Sequence, residues 1–451
     1  MMQERSEFSS KIGFVLAAAG SAVGLGNIWR FPYLAAKYGG GLFVLIYIFF
    51  ITTFGYAIMT SEIAIGRKTR LSPIGAYAAL DKRFKFIGVI AVLVAALIVP
   101  YYSVIGGWII KYLVTFASGG HLAAAKDDFF VGFITSPLEP VLWQIVFVLL
   151  AAFVVFKGIK DGIEKVNKVL MPVLIALSLG IGIYAMTLPG ALDGLKYYLI
   201  PDFSRFSMEG VLAAMGQMFY SLSLAMGIMI TYGSYLSRKD DIKKSVKQIE
   251  VFDSGVAMLA GFMIVPAVFA FSGGSAEALS AGPGLMFITL PKVFGSMALS
   301  SLVGSAFFLM VLFAAITSGI SLMEVVVSTL CDKYRISRNK SVAVTTIFTI
   351  LMGVPSSLGN GIWSHITIFD LAILDFFDFV TNAVLMPVGA LFMCIFIGYI
   401  LKTDEIAEEA NESSTIQTKR FYTVMVRYVA PVFIIAVLLS SVLATFGIIK
   451  W

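Results

Sequence analysis

Long apolar runs alternate with short polar, mostly basic segments along the whole chain. A helix needs about 20 largely apolar residues to cross a bilayer. Eleven runs are candidates, approximately 12–36, 41–65, 86–116, 140–157, 166–188, 209–236, 249–272, 296–330, 341–358, 366–401 and 421–449. Those of more than 30 residues must tilt, kink or project beyond the membrane. The pattern predicts one all-α, polytopic membrane domain over residues 1–451, embedded in a lipid bilayer with little mass outside it.

Two runs are interrupted. In the first, Gly20, Gly24 and Gly26 crowd the middle, with polar Ser21 and Asn27 among them and Arg30-Phe31-Pro32 behind. Glycine disfavours continuous helix, so this span is expected to unwind near the midplane. Unwound backbone is tolerated there only where it meets protein or a polar cavity. The rival reading is a continuous helix with glycines at a tight helix contact. In the sixth run Ser221, Ser223 and Gly227 make a second interruption. Five spans separate the two starts, so the two helices run in opposite directions. Paired broken helices in corresponding places of two inverted halves mark the midplane site of a secondary transporter. This weakens the packing alternative.

Composition agrees with the pattern: 59% of the 451 residues are hydrophobic and 13% charged, against about 25% charged in soluble domains. The net charge of +6 is no nucleic-acid signature, because most of the 33 basic residues fall in alternate loops. That bias predicts a cytoplasmic N-terminus and an external C-terminus in a cell membrane. Cys331 and Cys394 suggest neither a disulfide framework nor a metal cluster, and His121 and His365 lie far apart in predicted loops.

Several spans carry polar groups that lipid would penalise. Glu62 is predicted about one turn inside the end of the second span, where a carboxylate needs a partner. Pro100-Tyr101-Tyr102 kinks the third and places two phenols at mid-depth. Gly162 and Pro172 make the predicted inner end of the fifth helix easy to unwind. Asp253 falls in the first turn or two of the predicted seventh span, where an interfacial carboxylate is the common case. Thr317 and Ser318 are adjacent hydroxyls in the eighth, a weak signal alone because such hydroxyls usually bond back to their own helix. Asp370, Asp375 and Asp378 cluster at the predicted outer start of the tenth, and the charged loop 402–420 is expected to be mobile.

Together, the motif from Ala19 to Tyr33, Glu62 with Gly66-Arg67, Gln217 to Gly227, Thr231 to Tyr235 and Ala314 to Ser318 resemble the neurotransmitter:sodium symporter family, in its bacterial eleven-helix amino-acid branch. The resemblance spans nearly the whole chain. It implies a leucine-transporter fold with helices one to five (about 12–188) and six to ten (about 209–401) as inverted repeats, plus an eleventh (about 421–449). It also implies two sodium ions as coupled ligands. The first would take the Ala22 carbonyl, Asn27, Ser221, Asp253 and the substrate carboxylate. The second would take the carbonyls of Gly20, Val23 and Ala314 with the hydroxyls of Thr317 and Ser318.

Chloride-dependent members carry a neutral asparagine where Asp253 stands, so the resemblance implies chloride-independent transport. Monoamine carriers have an aspartate where this chain has Gly24, which implies an amino-acid substrate whose own carboxylate reaches the first sodium. The substrate residues carried over are Ala22, Leu25, Gly26, Ile98, Tyr102, Tyr220, Ser223, Met226, Ser318, Gly319 and Leu322. They form an apolar pocket suited to hydrophobic or aromatic L-amino acids, with Tyr220 standing where relatives usually carry phenylalanine. Arg30 and Asp375 resemble an outer gate, with Asp370 or Asp378 as alternative partners. Arg5 and Asp332, supported by Tyr235 and Glu324, resemble an inner latch, and Gly162 and Pro172 resemble the place where helix five unwinds. An enzyme would need clustered acids, histidines or a nucleophile at one depth. A channel or a transport-inactive receptor of the same fold are the remaining alternatives.

Overall fold

The computed structural model describes residues 6–273, 282–412, 414 and 418–448, so Arg5 lies outside the described residues. Among them, nine helices are long and apolar enough to span a bilayer. In chain order with the broken elements, the helices are α1 (Lys11–Ala22) and α2 (Gly26–Lys37), α3 (Gly41–Thr69), α4 (Lys82–Ala117), α5 (Glu139–Phe156) and α6 (Ile159–Ala185). They continue with α7 (Met208–Ser221), α8 (Ile228–Gly233), α9 (Ile242–Ser272), α10 (Ser300–Tyr334), α11 (Arg338–Leu358), α12 (Ile373–Leu401) and α13 (Lys419–Thr445). Side chains such as Phe49, Phe153, Ile183 and Val432 stay more than half exposed, as a lipid-facing surface requires. The chain is a multi-pass membrane protein.

Both interruptions are real. α1 stops at Ala22, Val23 is extended (φ −70°, ψ 98°), and α2 resumes at Gly26 with a bend of 58°. The predicted sixth span is two pieces, α7 and α8, neither long enough to cross alone. Between them Ser223 and Ala225 adopt left-handed backbone (φ 53° and 59°), and Gly227 (φ 74°) opens α8. Left-handed non-glycine residues cost about 1–3 kcal/mol each, so the break needs support. Glu62 supplies it: its Oε1 accepts the Ala225 N–H at 2.8 Å. Close backbone packing holds α3 and α8 together, since a methyl group on Gly66 would stand 2.0 Å from the Ile230 carbonyl oxygen, and one on Gly233 2.5 Å from that of Ile63.

Helix boundaries correct several sequence expectations. α9 starts at Ile242, capped by the Asp241 side chain accepting from Lys244 N–H, so Asp253 sits three turns inside and is wholly buried. The polar stretch before Ile249 hid that start. Likewise Glu62 lies two turns inside α3, because Gly66 to Thr69 stay helical and Arg70 (φ 57°) closes the helix. The expected tenth span loses its first residues to a hairpin, β1 (Thr367–Ile368) pairing antiparallel with β2 (Leu371–Ala372). Phe369 and Asp370 turn it with positive φ. The expected mobile loop contains a docked helix, Thr403–Asn411, that buries Ile406, Ala407 and Ala410 on one face. Its Glu409 pairs with the fully buried Arg67 at 2.6 Å. His121 begins a short helix, and its Nδ1 meets Ser301 Oγ at 2.8 Å.

Candidate functional site

The two breaks lie side by side. Ser223 Oγ donates to the Ser21 carbonyl at 3.0 Å, and Asn27 Nδ2 donates to Ser221 Oγ at 2.9 Å. Ser318 Oγ on α10 also donates to Ser21 at 3.0 Å. Between these elements a narrow pocket of ≈ 30 Å³ is walled by Ala22, Leu25, Gly26, Ile98, Tyr102, Tyr220, Ser223, Met226, Ser318 and Leu322. All were expected from sequence. Gly319 was expected too, yet it faces the other way: a methyl group there would meet the Phe147 ring at 3.2 Å. One helical step from Ser318 turns it toward α5. Ile228 joins the wall unforeseen, its only sequence signal being its place after Gly227 where the helix restarts.

The pocket has a polar end and an apolar end. Tyr102 Oη is buried, makes no hydrogen bond of full geometry among the described residues, and faces Gly24, whose added methyl would stand 3.6 Å from it. α2 begins beside it, and a helix start presents free amides that favour an anion. Ile98, Met226 and Leu322 form the other wall. Tyr220 closes the pocket because Gly26 lets its ring approach; any side chain at 26 would collide with it at 2.5 Å.

Beside the polar end lies Asp253. Its carboxylate accepts from Asn27 Nδ2 (2.8 Å), Ser221 Oγ (2.9 Å) and Tyr47 Oη (3.0 Å). Every one of these partners is neutral, and the carboxylate is fully buried. A buried charge with no counter-charge is strongly unfavourable, so this arrangement suits a cation. The Ala22 carbonyl belongs to the same end, since α1 stops there and no described N–H takes it. Of the four residues expected at a first sodium, Asn27, Ser221 and Asp253 are joined by hydrogen bonds, and Ala22 lines the same pocket as Asn27 and Ser221.

The second expected set converges across α1 and α10 without any carboxylate. Ser318 Oγ lies 3.5 Å from the Val23 carbonyl oxygen and 3.2 Å from that of Ala314, and Thr317 Oγ1 lies 3.1 Å from the latter. Gly20 closes the group against Thr317. Its carbonyl takes no hydrogen bond among the described residues, because Gly24 N–H turns to Asn27 Oδ1 at 3.0 Å instead. Oxygen-only sets of this kind suit a hard cation.

Tyr220 also faces a larger cavity of ≈ 640 Å³ on the predicted outer side, lined by Arg30, Asp375 and Asp378. The expected Arg30–Asp375 pair is not closed: among the described residues no ion pair joins Arg30 to either acid. Arg30 instead lies over the Tyr220 ring, 5.5 Å from its centre. Asp378 is held by Asn382 (2.6 Å) and Tyr101 (3.2 Å), whereas Asp370 sits at the hairpin turn, outside the cavity lining.

The predicted inner end is shut. Phe8 N–H donates to the Tyr235 carbonyl at 3.1 Å, and Ser72 N–H to Asp332 at 2.7 Å. Tyr235 Oη reaches Glu324 at 2.8 Å. Arg338 grips the same carboxylate through both terminal nitrogens, at 3.0 and 2.6 Å. Sequence reading missed Arg338, one of several basic residues in its loop. It also missed Glu164, whose carboxylate accepts Ser9 N–H (2.7 Å) and Ser9 Oγ (2.5 Å). Glu164 lies between Gly162 and Pro172, and this stretch is wound, a π-helical turn leading into α-helix.

The chain matches the sodium:neurotransmitter symporter family over residues 5–122 and 134–448. An uncharacterized sodium-dependent transporter of Bacillus subtilis is 37% identical across 98% of both chains, and one of Methanocaldococcus jannaschii is 34% identical across 96% of this chain and 90% of its own. More distant is the sodium- and chloride-dependent GABA transporter 2 of Mus musculus, 28% identical over 78% of this chain and 67% of its own. The crystal structure of MhsT in complex with L-phenylalanine superposes with a TM-score of 0.87 at 38% identity, covering 97% of this chain and 100% of that one. Broken helices, a buried pocket and these relatives agree: the chain belongs to the sodium:neurotransmitter symporter family, and it is a sodium-dependent transporter of a small molecule rather than an enzyme.

Proposed function

We propose that this protein imports hydrophobic and aromatic L-amino acids by alternating access, driven by sodium at two sites and without chloride. The observation that carries the reading is Asp253, a fully buried carboxylate with only neutral partners, beside a pocket whose polar end suits a second carboxylate. A sodium ion between the two would neutralise both, so ion and solute would bind together; that shared shell is a coupling free energy. Because Asp253 supplies the negative charge itself, no chloride is needed there. Ile98, Met226 and Leu322 favour an apolar side chain, in line with the L-phenylalanine bound by MhsT.

Transport follows from the two ends. The N-terminus is taken as cytoplasmic, the C-terminus as external, and residues 12–188 and 209–401 as inverted repeats with 421–449 appended. The open side with Arg30, Asp375 and Asp378 then faces outward, and Tyr220 is the lid over the pocket. Arg30 closing on one of those acids would seal it. Parting of the Tyr235–Glu324–Arg338 contacts and unwinding between Gly162 and Pro172 would open the inner side.

The test is uptake of a panel of labelled amino acids into proteoliposomes with and without sodium and chloride gradients. Accumulation of phenylalanine or leucine against a gradient, requiring sodium alone, is expected. Dissipative flux without accumulation would make it a channel. Binding without uptake would make it a receptor.

A further inference from the structure

Asn167 on α6 is wholly buried. Its Nδ2 donates to the Ile163 carbonyl at 2.8 Å. A carbonyl can only accept, so this bond fixes which end of the amide points away from Ile163. That end is Oδ1, which is buried with no hydrogen-bond partner among the described residues. It points at α1: a methyl group on Gly20 would stand 2.0 Å from Oδ1 and 3.3 Å from Thr317 Cβ. Gly20 and Thr317 are both members of the second expected sodium set. The oxygen thus lies against two members of that set, from a helix that contributes no other member.

Buried carbonyl oxygens rarely go without a partner, and an amide oxygen is a good ligand for a hard cation. We propose that Asn167 Oδ1 is a ligand of the second sodium ion, extending its shell from α1 and α10 to α6. This rests on the two-sodium reading above. Its consequence concerns release: Asn167 sits midway between Gly162 and Pro172, so unwinding that stretch would withdraw a ligand as it admits water. Ion occupancy and the wound state of α6 would then stabilise each other.

The experiment uses the purified full chain in detergent, titrated with sodium chloride against potassium chloride at constant ionic strength. Thermal stability is the readout. It is run on the wild-type chain and on Asp253→Asn, which removes the charge of the first site. A saturable rise in melting temperature is expected in both. Asn167→Leu, similar in size but lacking the oxygen, should raise the midpoint at least tenfold in the Asp253→Asn background. Asn167→Asp, which keeps an oxygen, should return it to within about threefold. An unchanged midpoint in Asn167→Leu, with melting lowered equally in sodium and in potassium, would reduce Asn167 to packing and overturn the proposal while sparing the two-sodium reading. No sodium effect on the wild-type chain would overturn both.

Discussion

Asp253 and Ser318 both meet the broken first span, one with a carboxylate at Asn27 and the other with a hydroxyl at Ser21 and Val23. Around Asp253 three side chains already donate to the carboxylate, so an ion entering there gains a formal counter-charge and must rearrange a tight network. Around Ser318 the groups are dipoles: the Gly20 and Val23 carbonyls at the end of α1, and the Ala314 carbonyl with two hydroxyls on α10. A site of dipoles holds an ion less strongly and depends more on where the backbone sits. On the proposed two-sodium reading, the charged site would lock ion to substrate and the dipolar site would respond to conformation.

The largest break in that comparison is Asp253→Asn. Sodium-driven uptake in chloride-free medium should fall by about a hundredfold or more, as expected when a buried charge site loses over 2.7 kcal/mol. Chloride should restore part of it. Undiminished chloride-free uptake would sink the charge argument.

The dipolar site should respond more gently. Thr317→Val combined with Ser318→Ala removes two hydroxyl ligands, each worth about 0.5–1.5 kcal/mol. The sodium concentration for half-maximal uptake should rise roughly tenfold, with the maximal rate largely retained. Loss as deep as that of Asp253→Asn would erase the distinction between the sites.

Below these lies the support of the second break. Glu62→Leu leaves the Ala225 N–H buried and unpaired, a cost of about 1–3 kcal/mol, read as a lowered melting temperature. Glu62→Gln keeps an acceptor and should lose much less. Equal loss in both would mean the charge rather than the hydrogen bond matters.

Pro172→Ala should have the smallest effect on binding. With proline's missing N–H restored, α6 should resist unwinding, so substrate release from inward-facing protein slows several-fold while external sodium affinity is unchanged. Equal loss of both would point to simple misfolding.

What the amino-acid order determined was the solvent, the broken helices and most of the pocket. Repeated runs of about 20 apolar residues mark membrane spans, and glycines amid such a run predict a break because the physics is local. The motif from Ala19 to Tyr33 holds six of the expected sodium and substrate residues: Gly20, Ala22, Val23, Leu25, Gly26 and Asn27. Tertiary structure decided the rest, where a residue's role depends on what distant segments bring to it. Asp253 looked interfacial from its local context, with the resemblance alone placing it at a sodium site, until α9 proved to start at Ile242. Gly319 read as pocket lining until its helix phase turned it to Phe147, and the charged loop hid a helix that brings Glu409 to Arg67. Arg338, Glu164 and Asn167 had no local signal at all, because each acquires meaning only through a partner at least 14 residues away in the chain: Glu324, Ser9 and Gly20. Periodicity and glycine placement act within a few turns; charge pairing and ion ligation act through space, and only the packed helices set those distances.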